Sequence, residues 1–401
     1  MAASADLPPA SVWSVRVDSA AHARAMMVRL GAHPGGVAIM AAKYTARALY
    51  VKNLSAVAAN ILKQEALAAG AEAAVHWGVI DHSVAHSDAL LFGTAASLTV
   101  LARKLAMQQF GLAAAAAHMA EAVAGWDRPW ALELKGREYD LGTPMVVGIL
   151  NVTPDSFADG GRYLEPGQAL ARAKAIVEAG AAVVEVGGES TRPGSAYVGE
   201  EEELARVMPV VEALAADVPV AVDTRKAAVA RRAAAAGAAM INDVTAGRDD
   251  PDVAAACAEY GLPLVLMHMR GTPADMQREP RYDDVVGEVR EFLAERAAWA
   301  ERYGVKQIVV DPGIGFGKTL EHNLALLHNV PALADLGFPV MIGHSRKRFI
   351  GELTGEEPAG RLAGSLGAAL EAARRGAHLL RVHDPKETVQ ALRVAAAVIN
   401  G

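Results

Sequence analysis

The sequence is short of cysteine and has no long apolar run. Cys257 is the one cysteine among 401 residues, so no internal disulfide can form and no cluster of thiolates can hold a metal ion. No uninterrupted apolar stretch reaches the ~18 residues that a membrane-spanning helix needs. Residues Met1–Ala10 also lack the basic start and apolar run of a secretory signal. We therefore expect a soluble, cytoplasmic protein with no membrane partner, in which Cys257 is a small core residue.

Positive charge is also scarce. Lysine and arginine number 39 against 46 aspartates and glutamates, which gives a formal net charge of −7. This balance argues against a surface for nucleic acid built on bulk positive charge, so we expect no nucleic-acid partner. Hydrophobic residues make up 52% of the chain, a fraction that excludes disorder for most of it.

A cluster of helix-breaking residues, Gly125–Pro129, divides the chain. We expect residues 1–125 to form a small α+β domain, residues 126–142 a linker with a short hairpin, and residues 143–401 a larger second domain. In the first domain the predicted strands are Val12–Val17, Arg47–Val51, Ala73–Ile80 and Ala89–Gly93, and the predicted helices are His22–Leu30, Ser55–Ala69 and Ser97–Gln109.

From residue 143 onward, short apolar runs alternate with helical segments. Such runs are typical of parallel strands that are covered by helices. Eight of them in about 260 residues match a (β/α)8 barrel, whereas a doubly wound open sheet usually has fewer strands. We therefore predict an α/β fold, a TIM barrel preceded by a smaller α+β domain. The predicted strands are Met145–Leu150, Val183–Val186, Pro219–Val222, Met240–Val244, Pro263–Met267, Gln307–Val310, Pro339–Ile342 and His378–Val382.

Polar residues follow these predicted strands. A single aspartate at a strand end most often caps the helix that follows. Taken by itself, Asp223 could be only such a helix cap. Eight polar strand ends that meet at one barrel mouth, together with two glycine-rich loops at 187–188 and 313–315, indicate a functional site instead. The loop at 313–317 has neither the spacing of a dinucleotide fingerprint nor that of a P-loop.

The strand-end residues fall into two chemical groups. Asp223, Asn242 and Asp311 supply acceptors, which suit a flat heterocycle with an amidine edge because a carboxylate can accept two parallel N–H bonds. The other group supplies donors and positive charge, which suit phosphate. Its members are Arg192, Lys347, Arg381 and His383.

A series of motifs follows in one order along residues 143–401. They are Ile149–Phe157, Gly187–Gly194, Val222–Thr224, Ile241–Val244, Met267–Met269, Asp311–Phe316, Ser345–Lys347 and Arg381–His383. In this order they resemble the dihydropteroate synthase family, whose two signature loops correspond to the first two motifs. The resemblance implies an alkyl transferase that joins (7,8-dihydropterin-6-yl)methyl diphosphate to 4-aminobenzoate and releases diphosphate.

The resemblance also implies roles for the residues that bind the pterin. Asp223, Asn242 and Asp311 would hold the pterin ring by its N–H and amidine edge. Lys347 would contact the ring and frame the pocket for the aryl amine.

Further roles concern the diphosphate and the loops. Arg381 and His383 would hold the diphosphate, and Asn151 would coordinate Mg²⁺, the implied cofactor. The loop residues that would close over the reacting centre are Phe157, Thr191, Arg192 and Pro193. Among all these residues the implied catalytic ones are Lys347, Arg381, His383 and Asp223. A homodimer is implied as well.

Three positions depart from the family pattern. Glu185 stands where the family more often has aspartate, and Ala158 replaces a frequent serine. Arg348 follows Lys347 where a small serine is common, which concerns the contacts of 4-aminobenzoate and the sensitivity to sulfonamides.

Two other functions remain open at this point. A pterin-dependent methyltransferase would use a similar barrel to pass a methyl group from a reduced folate to a corrinoid protein, but it would not need Ser345–Lys347 together with Arg381–His383. A non-catalytic pterin-binding protein would be expected to lose part of the charged set, which is complete here.

The first domain contains a cluster of potential metal ligands, to which we assign no chemistry. Its members are His76, Asp81, His82, His86 and Asp88. Residues 81–87 are predicted to form a loop and the spacing matches no metal signature, so solvated side chains are the better interpretation.

Overall fold

The computed structural model describes residue 17 and residues 20–41, 43, 46–126, 128–152, 166–190, 195, 197–272, 276 and 278–400. The chain divides into two compact units, and the boundary lies between Asp127 and Arg128. Residues 12–16 of the predicted strand Val12–Val17 lie outside the described residues, as do the loop residues Phe157, Ala158, Thr191, Arg192 and Pro193. No helix in the described ranges is both long enough and apolar enough to cross a membrane.

In its described residues, the first unit contains a three-stranded antiparallel sheet and five α-helices. The sheet has the order β1-β3-β2, and its buried face packs on helices whose apolar side chains include Leu62, Leu98 and Leu101. The strands are β1 (Arg47–Ser55), β2 (Glu72–Val75) and β3 (His86–Gly93), and the helices are α1 (Ala20–Arg29), α2 (Pro34–Ala41), α3 (Ala56–Ala68), α4 (Ala95–Leu105) and α5 (Leu112–Gly125).

Local sequence explains where these elements begin and end. Ser55 begins α3 by accepting a hydrogen bond from the Ala58 amide at 3.2 Å. Gly111, at φ +80°, separates α4 from α5. The sequence does not predict helix α2, because Pro34-Gly35-Gly36 is typical of a helix-breaking segment, yet proline is well tolerated at a first helical position.

One predicted strand of this unit is shorter than expected. The apolar run Ala73–Ile80 predicts a strand over its whole length, but β2 ends at Val75 and a 3-10 turn follows. The Nδ1 atom of His76 accepts a hydrogen bond from the Gly78 amide at 3.1 Å, which closes this turn. A side chain that captures a nearby backbone donor in this way competes with the strand ladder.

The second unit is an eight-stranded parallel barrel with a hairpin before it. The hairpin is β4 (Ala131–Leu134) and β5 (Arg137–Asp140). The barrel strands are β6 (Met145–Asn151), β7 (Val183–Gly187), β8 (Val220–Asp223), β9 (Met240–Asp243), β10 (Leu264–Met267), β11 (Ile308–Asp311), β12 (Met341–Ile342) and β13 (Leu379–Val382). The helices are α6 (Pro166–Glu178), α7 (Glu200–Leu214), α8 (Ala227–Ala235), α9 (Asp252–Tyr260), α10 (Val285–Arg302), α11 (Leu320–His328), α12 (Val330–Ala334), α13 (Arg348–Thr354), α14 (Leu362–Arg374) and α15 (Pro385–Asn400).

The strand order confirms the predicted barrel. It runs β11-β10-β9-β8-β7-β6-β13-β12 with parallel pairing between neighbours, and a parallel bridge between Val310 and Val340 joins the two ends. Strand β12 is shorter than the predicted Pro339–Ile342. Proline has no N–H to donate to a ladder, so Pro339 contributes only its carbonyl, which accepts from the Val310 amide at 2.9 Å.

Side chains alternate between two apolar layers along the strands. Outward-facing residues such as Val222 and Val310 pack against the helices. Inward-facing residues such as Ala221 and Val309 fill the lower part of the barrel, where Leu132 of the hairpin joins them. Because alternation has a period of two, the next inward position on each strand lies at its carboxyl end.

Candidate active site

Three buried acceptors occupy the inward positions at the carboxyl ends of β8, β9 and β11. Asp223, Asn242 and Asp311 each lie two residues after a member of the inner apolar layer, so they face the barrel interior. Asp223 and Asn242 are directly paired in the ladder. The structure thus brings together the three acceptors that the sequence predicted.

Arg381 joins two buried carboxyl groups that lie on other strands of the barrel. It lies on β13, and its Nη2 atom is 2.9 Å from Asp223 Oδ2. Its Nε atom donates to Glu185 Oε1 on β7. Burial raises the pKa of the Asp223 carboxyl, and the Arg381 guanidinium acts against that rise. The guanidinium therefore supplies positive charge beside two buried carboxyl groups inside the mouth of the barrel.

Asn242 presents an acceptor that no described residue uses. Its Nδ2 atom donates to Glu185 Oε2 at 3.0 Å, whereas its Oδ1 atom is buried and has no hydrogen-bond partner in the described part of the chain. A buried polar atom of this kind is costly unless a ligand satisfies it. The Oδ1 atom of Asn242 is therefore an acceptor that is open to a donor from outside the described residues.

Asp311 and Lys347 lie close together across the mouth. Asp311 Oδ1 accepts from the Gly313 amide at 2.7 Å, and burial raises its pKa while Lys347 opposes the rise. A β-carbon placed on Gly343 would lie 3.7 Å from both Lys347 Nζ and Arg381 Cδ, and 3.8 Å from Asp311 Oδ2. The side chains of Lys347, Arg381 and Asp311 therefore lie close together beside Gly343.

Lys347 is a half-buried cation with an unusually low proton affinity. Its Nζ atom donates to the Ile314 carbonyl and lies 4.6 Å from the centre of the Phe316 ring. Burial lowers the pKa of Lys347 to about 7, although Asp311 acts in the opposite direction. The charge of this side chain is consequently sensitive to pH near neutrality.

His383 supplies a hydrogen bond rather than a charge. The sequence grouped it with the positively charged residues, but burial and then the neighbouring Arg381 lower its pKa to about 4. Its Nδ1 atom lies 3.2 Å from Ser345 Oγ, which also accepts from the His383 amide at 3.2 Å. The imidazole is therefore neutral at physiological pH.

Three contacts that the sequence did not assign hold the surrounding loops. Arg346 pairs with Asp384 at 2.8 Å from Nε to Oδ2, which links the loops after β12 and β13. Glu189 pairs with Arg225 and Lys226, each at 2.6 Å, at the root of the loop that carries Thr191–Pro193. Arg346 and Glu189 lie inside recognised motifs, but a motif does not show which residue they contact.

The third contact joins the loops after β10 and β11. The buried Nζ atom of Lys318 lies 2.9 Å from His268 Nδ1 and 3.0 Å from the Phe316 carbonyl. Burial lowers the pKa of Lys318 and brings that of His268 to about 2. The two loops approach so closely that a β-carbon on Gly313, which has φ +67°, would lie 1.9 Å from the His268 carbonyl oxygen.

Gly313→Ala is expected to lower the free energy of unfolding by at least ~3 kcal/mol, because left-handed strain adds to a clash with backbone. Gly261→Ala is the matched control, since Gly261 has φ +66° but open space around it, and it should cost only ~1 kcal/mol. Urea unfolding of both variants measures the difference. Equal losses would contradict the close approach of the two loops.

The donors near Asn151 fit a metal that arrives with its ligand. Asn151 ends β6 opposite Gly187, and a β-carbon on Gly187 would lie 3.4 Å from Asn151 Oδ1 and 3.9 Å from Asp223 Oδ2. Because Asp223 Oδ2 accepts from Arg381, the amide oxygen of Asn151 is the hard oxygen that suits Mg²⁺, which would keep waters and phosphate oxygens as its other ligands. In the ranges that the structure describes, no group of three or more His, Cys, Asp or Glu side chains is placed to hold a metal.

Comparisons with known proteins point to one family. Residues 147–383 match the family described as pterin binding enzyme. The chain is 48% identical over 270 residues to the dihydropteroate synthase of Escherichia coli (strain K12), and the match covers 66% of this chain and 95% of that protein. The crystallised dihydropteroate synthase of Xanthomonas albilineans with 4-aminobenzoic acid is 51% identical, with a TM-score of 0.63 over 68% of this chain and 98% of that one.

Another relative also matches the first unit. A probable bifunctional folylpolyglutamate synthase/dihydropteroate synthase of Halobacterium salinarum is 42% identical over 388 residues. That match covers 96% of this chain and 47% of the relative. Similarity to it therefore extends across both compact units.

Proposed function

The chain belongs to the dihydropteroate synthases, a family of pterin-binding enzymes, and we propose that the residues at its barrel mouth divide the reaction into three tasks. These tasks are holding the pterin, neutralising the diphosphate and placing the amine. The activity is that of a dihydropteroate synthase in folate biosynthesis, which decides against the methyltransferase and the non-catalytic alternatives. A C–O bond to diphosphate breaks, and a C–N bond to 4-aminobenzoate forms.

The observation that carries the pterin assignment is the set of acceptors. Asp223, the Oδ1 atom of Asn242 and Asp311 all face the same interior space. A pterin carries a 2-amino group and a ring N–H beside it, so its edge offers donors to such a set. Lys347 lies beside Asp311 with its ammonium group available to a ring carbonyl.

Titration with 6-hydroxymethylpterin tests this assignment. Asn242→Ala should bind the pterin at least ~10-fold more weakly than the unmodified protein, because a buried ligand donor then loses its acceptor. Thermal unfolding of the same samples shows whether the variant is folded. Unchanged affinity in a folded Asn242→Ala protein would contradict the proposed pterin site.

The second task is to stabilise the leaving diphosphate. Arg381 lies in the mouth next to Asp223. His383 lies two residues later in the chain, directly after the end of β13, beside Ser345. We assign these residues to the diphosphate oxygens, with Asn151 as a ligand of Mg²⁺. When bound there, Mg²⁺ supplies additional positive charge next to the departing group. Donors that are fixed in advance stabilise charge as it develops, at no cost of reorganisation.

The third task is to place the amine. The exocyclic carbon of a dihydropterin becomes electron-poor as its bond to diphosphate breaks, so a weakly basic aryl amine can attack it without a strong base. The amine nitrogen then releases a proton to solvent, so the step yields dihydropteroate, diphosphate and one proton. We place the aryl amine beside Lys347 and Phe316, with Phe157, Thr191, Arg192 and Pro193 closing over it. Positioning, rather than a nucleophilic side chain, is the main contribution of such a site.

Lys347 gives the proposed site a specific pH dependence. Only its ammonium form carries the charge that favours an anionic substrate, and its pKa in the free protein is about 7. The charged fraction therefore falls as pH rises through 7, and kcat/KM for the pterin substrate should fall up to ~10-fold by pH 8, since kcat/KM reports groups of the free enzyme. Lys347→Arg should abolish this decline because arginine stays charged. A pH profile that is the same in both proteins would contradict the assignment.

Domain roles, assembly and location complete the proposal. We assign the reaction to residues 143–401, treat residues 1–125 as a separate domain, and give the hairpin in residues 126–142 the role of closing the lower end of the barrel. Leu132, Leu134 and Leu141 support that last role, since they are buried with the inner barrel layer. We also propose a homodimer in the cytoplasm, as the resemblance to the family implies, and sedimentation of the full chain tests the dimer.

A further inference from the structure

We infer that Glu185 fixes the orientation of the Asn242 side-chain amide. The Oδ1 atom of Asn242 then faces the pterin pocket and can accept a hydrogen bond from the ligand. Glu185 touches no ligand in this arrangement, so its role is to position another residue. The inference rests on the proposed pterin site.

The carboxylate of Glu185 connects residues from three strands inside the barrel. Glu185 is 1% exposed and lies on β7, two residues before the strand ends at Gly187. One oxygen accepts from Arg381 on β13, and the other accepts from Asn242 on β9 at 3.0 Å. Each of these strands is two places away from β7 in the barrel, on opposite sides. The side chain therefore bridges five neighbouring strands.

An ionised carboxylate imposes a direction on both partners. It can only accept hydrogen bonds, so each neighbour must turn a donor toward it. Arg381 has nothing but donors, whereas Asn242 has a choice of two faces. With Nδ2 committed to Glu185, the Oδ1 atom of Asn242 must face away from it. That atom is the buried acceptor with no partner in the described part of the chain.

The result is a pocket in which three side chains present hydrogen-bond acceptors to a ligand. Asp223 and Asp311 are acceptors when ionised, and Glu185 forces Asn242 to be a third one. If the Asn242 amide were reversed, it would present a donor where a ligand donor has to fit. A buried donor–donor contact leaves both groups unsatisfied and is strongly unfavourable.

Glu185→Gln tests the direction of the amide. Glutamine has one oxygen and one NH2 group, and Arg381 can only donate, so the oxygen must turn toward Arg381. The NH2 group then faces Asn242, which has to reverse and present Nδ2 to the pocket. Titration with 6-hydroxymethyl-7,8-dihydropterin should give an affinity at least tenfold weaker than that of the unmodified protein.

A charge-preserving double variant provides the decisive comparison. In Glu185→Gln with Asn242→Asp, the glutamine donates to one oxygen of the carboxylate introduced at position 242, and the other oxygen of that carboxylate faces the pocket as an acceptor. The two positions together keep the same net charge as Glu185 and Asn242. The double variant should regain an affinity within about threefold of the unmodified protein, which a merely structural role of Glu185 would not produce. Glu185→Asp, which keeps an acceptor-only side chain, should also bind within a few-fold.

The outcomes separate the inference from the proposed function. The inference is overturned if folded Glu185→Gln binds as the unmodified protein does, or if the double variant binds no better than Glu185→Gln. If Glu185→Gln does not fold, the double variant alone decides: near-normal affinity supports the inference and lost affinity overturns it. Failure of the unmodified protein to bind, or unchanged binding in Asn242→Ala, would instead overturn the pterin site itself.

Discussion

Arg381→Ala is expected to lower kcat by ~10²–10³-fold, the usual loss when a preorganised donor to a developing negative charge is removed. The affinity for 6-hydroxymethylpterin, which has no diphosphate, should change by less than about tenfold, since Asp223, Asn242 and Asp311 remain. Steady-state kinetics at saturating substrates and titration with the pterin measure the two quantities separately. Arg381 would not hold the diphosphate if the pterin affinity collapsed while kcat was preserved.

The same substitution also has a structural cost that must be separated from catalysis. Arg381 is the cation next to the buried carboxylates of Glu185 and Asp223. Without it the protein should lose ~3–5 kcal/mol of stability, because an unpaired buried charge is left behind. Arg381→Lys is the control, since it restores one positive charge but cannot reach both carboxylates with separate N–H groups. It should recover most of the stability and only part of the rate.

Asp311→Ala is expected to weaken pterin binding at least ~100-fold, equivalent to about 3 kcal/mol, the upper range for a hydrogen bond to a charged group. The carboxylate both accepts from the Gly313 amide and lies beside Lys347, so its removal deprives the ring of an acceptor and loosens the adjacent loop. Titration with 6-hydroxymethylpterin measures the loss. A folded Asp311→Ala protein with normal affinity would contradict the assignment of Asp311 to the ring.

Asp243→Asn supplies a matched control for this experiment. Asp243 is a buried carboxylate that follows Asn242 and therefore faces the opposite way along β9. It accepts from the amides of Thr245 at 2.8 Å and Gly247 at 2.6 Å, in the loop that follows β9. Its substitution should lower stability and leave pterin affinity unchanged. Equal loss of affinity would mean that stability, and not contact, governs the measurement at Asp311.

The positions of the three acceptors could be predicted because strand geometry is regular. An apolar strand that ends in a polar residue, with its inward face set by alternation, places that residue at the mouth of the barrel whatever the rest of the chain does. Asp223, Asn242 and Asp311 needed no more information than this. The motifs of the family then gave their chemical roles.

Contacts between distant strands could not be predicted in the same way. In the sequence, Glu185 is distinguished only as a departure from the family pattern. Its bonds to Asn242 and Arg381 could not be predicted, because they depend on the reach of long side chains across the barrel. The neutral state of His383 depends on its burial and on Arg381, which a list of residues does not reveal. In the first unit, β2 ended early for a comparable reason, since the His76 side chain captured a backbone amide.

The most direct test of the proposed reaction is to measure both of its products together. The full chain, supplied with (7,8-dihydropterin-6-yl)methyl diphosphate, 4-aminobenzoate and Mg²⁺, should form 7,8-dihydropteroate and diphosphate in equal amounts, and Arg381→Ala should slow both equally. Omission of 4-aminobenzoate should stop the formation of dihydropteroate. Binding of the pterin substrate without formation of dihydropteroate, or release of diphosphate with no new C–N bond, would contradict the assignment of the barrel mouth to this condensation.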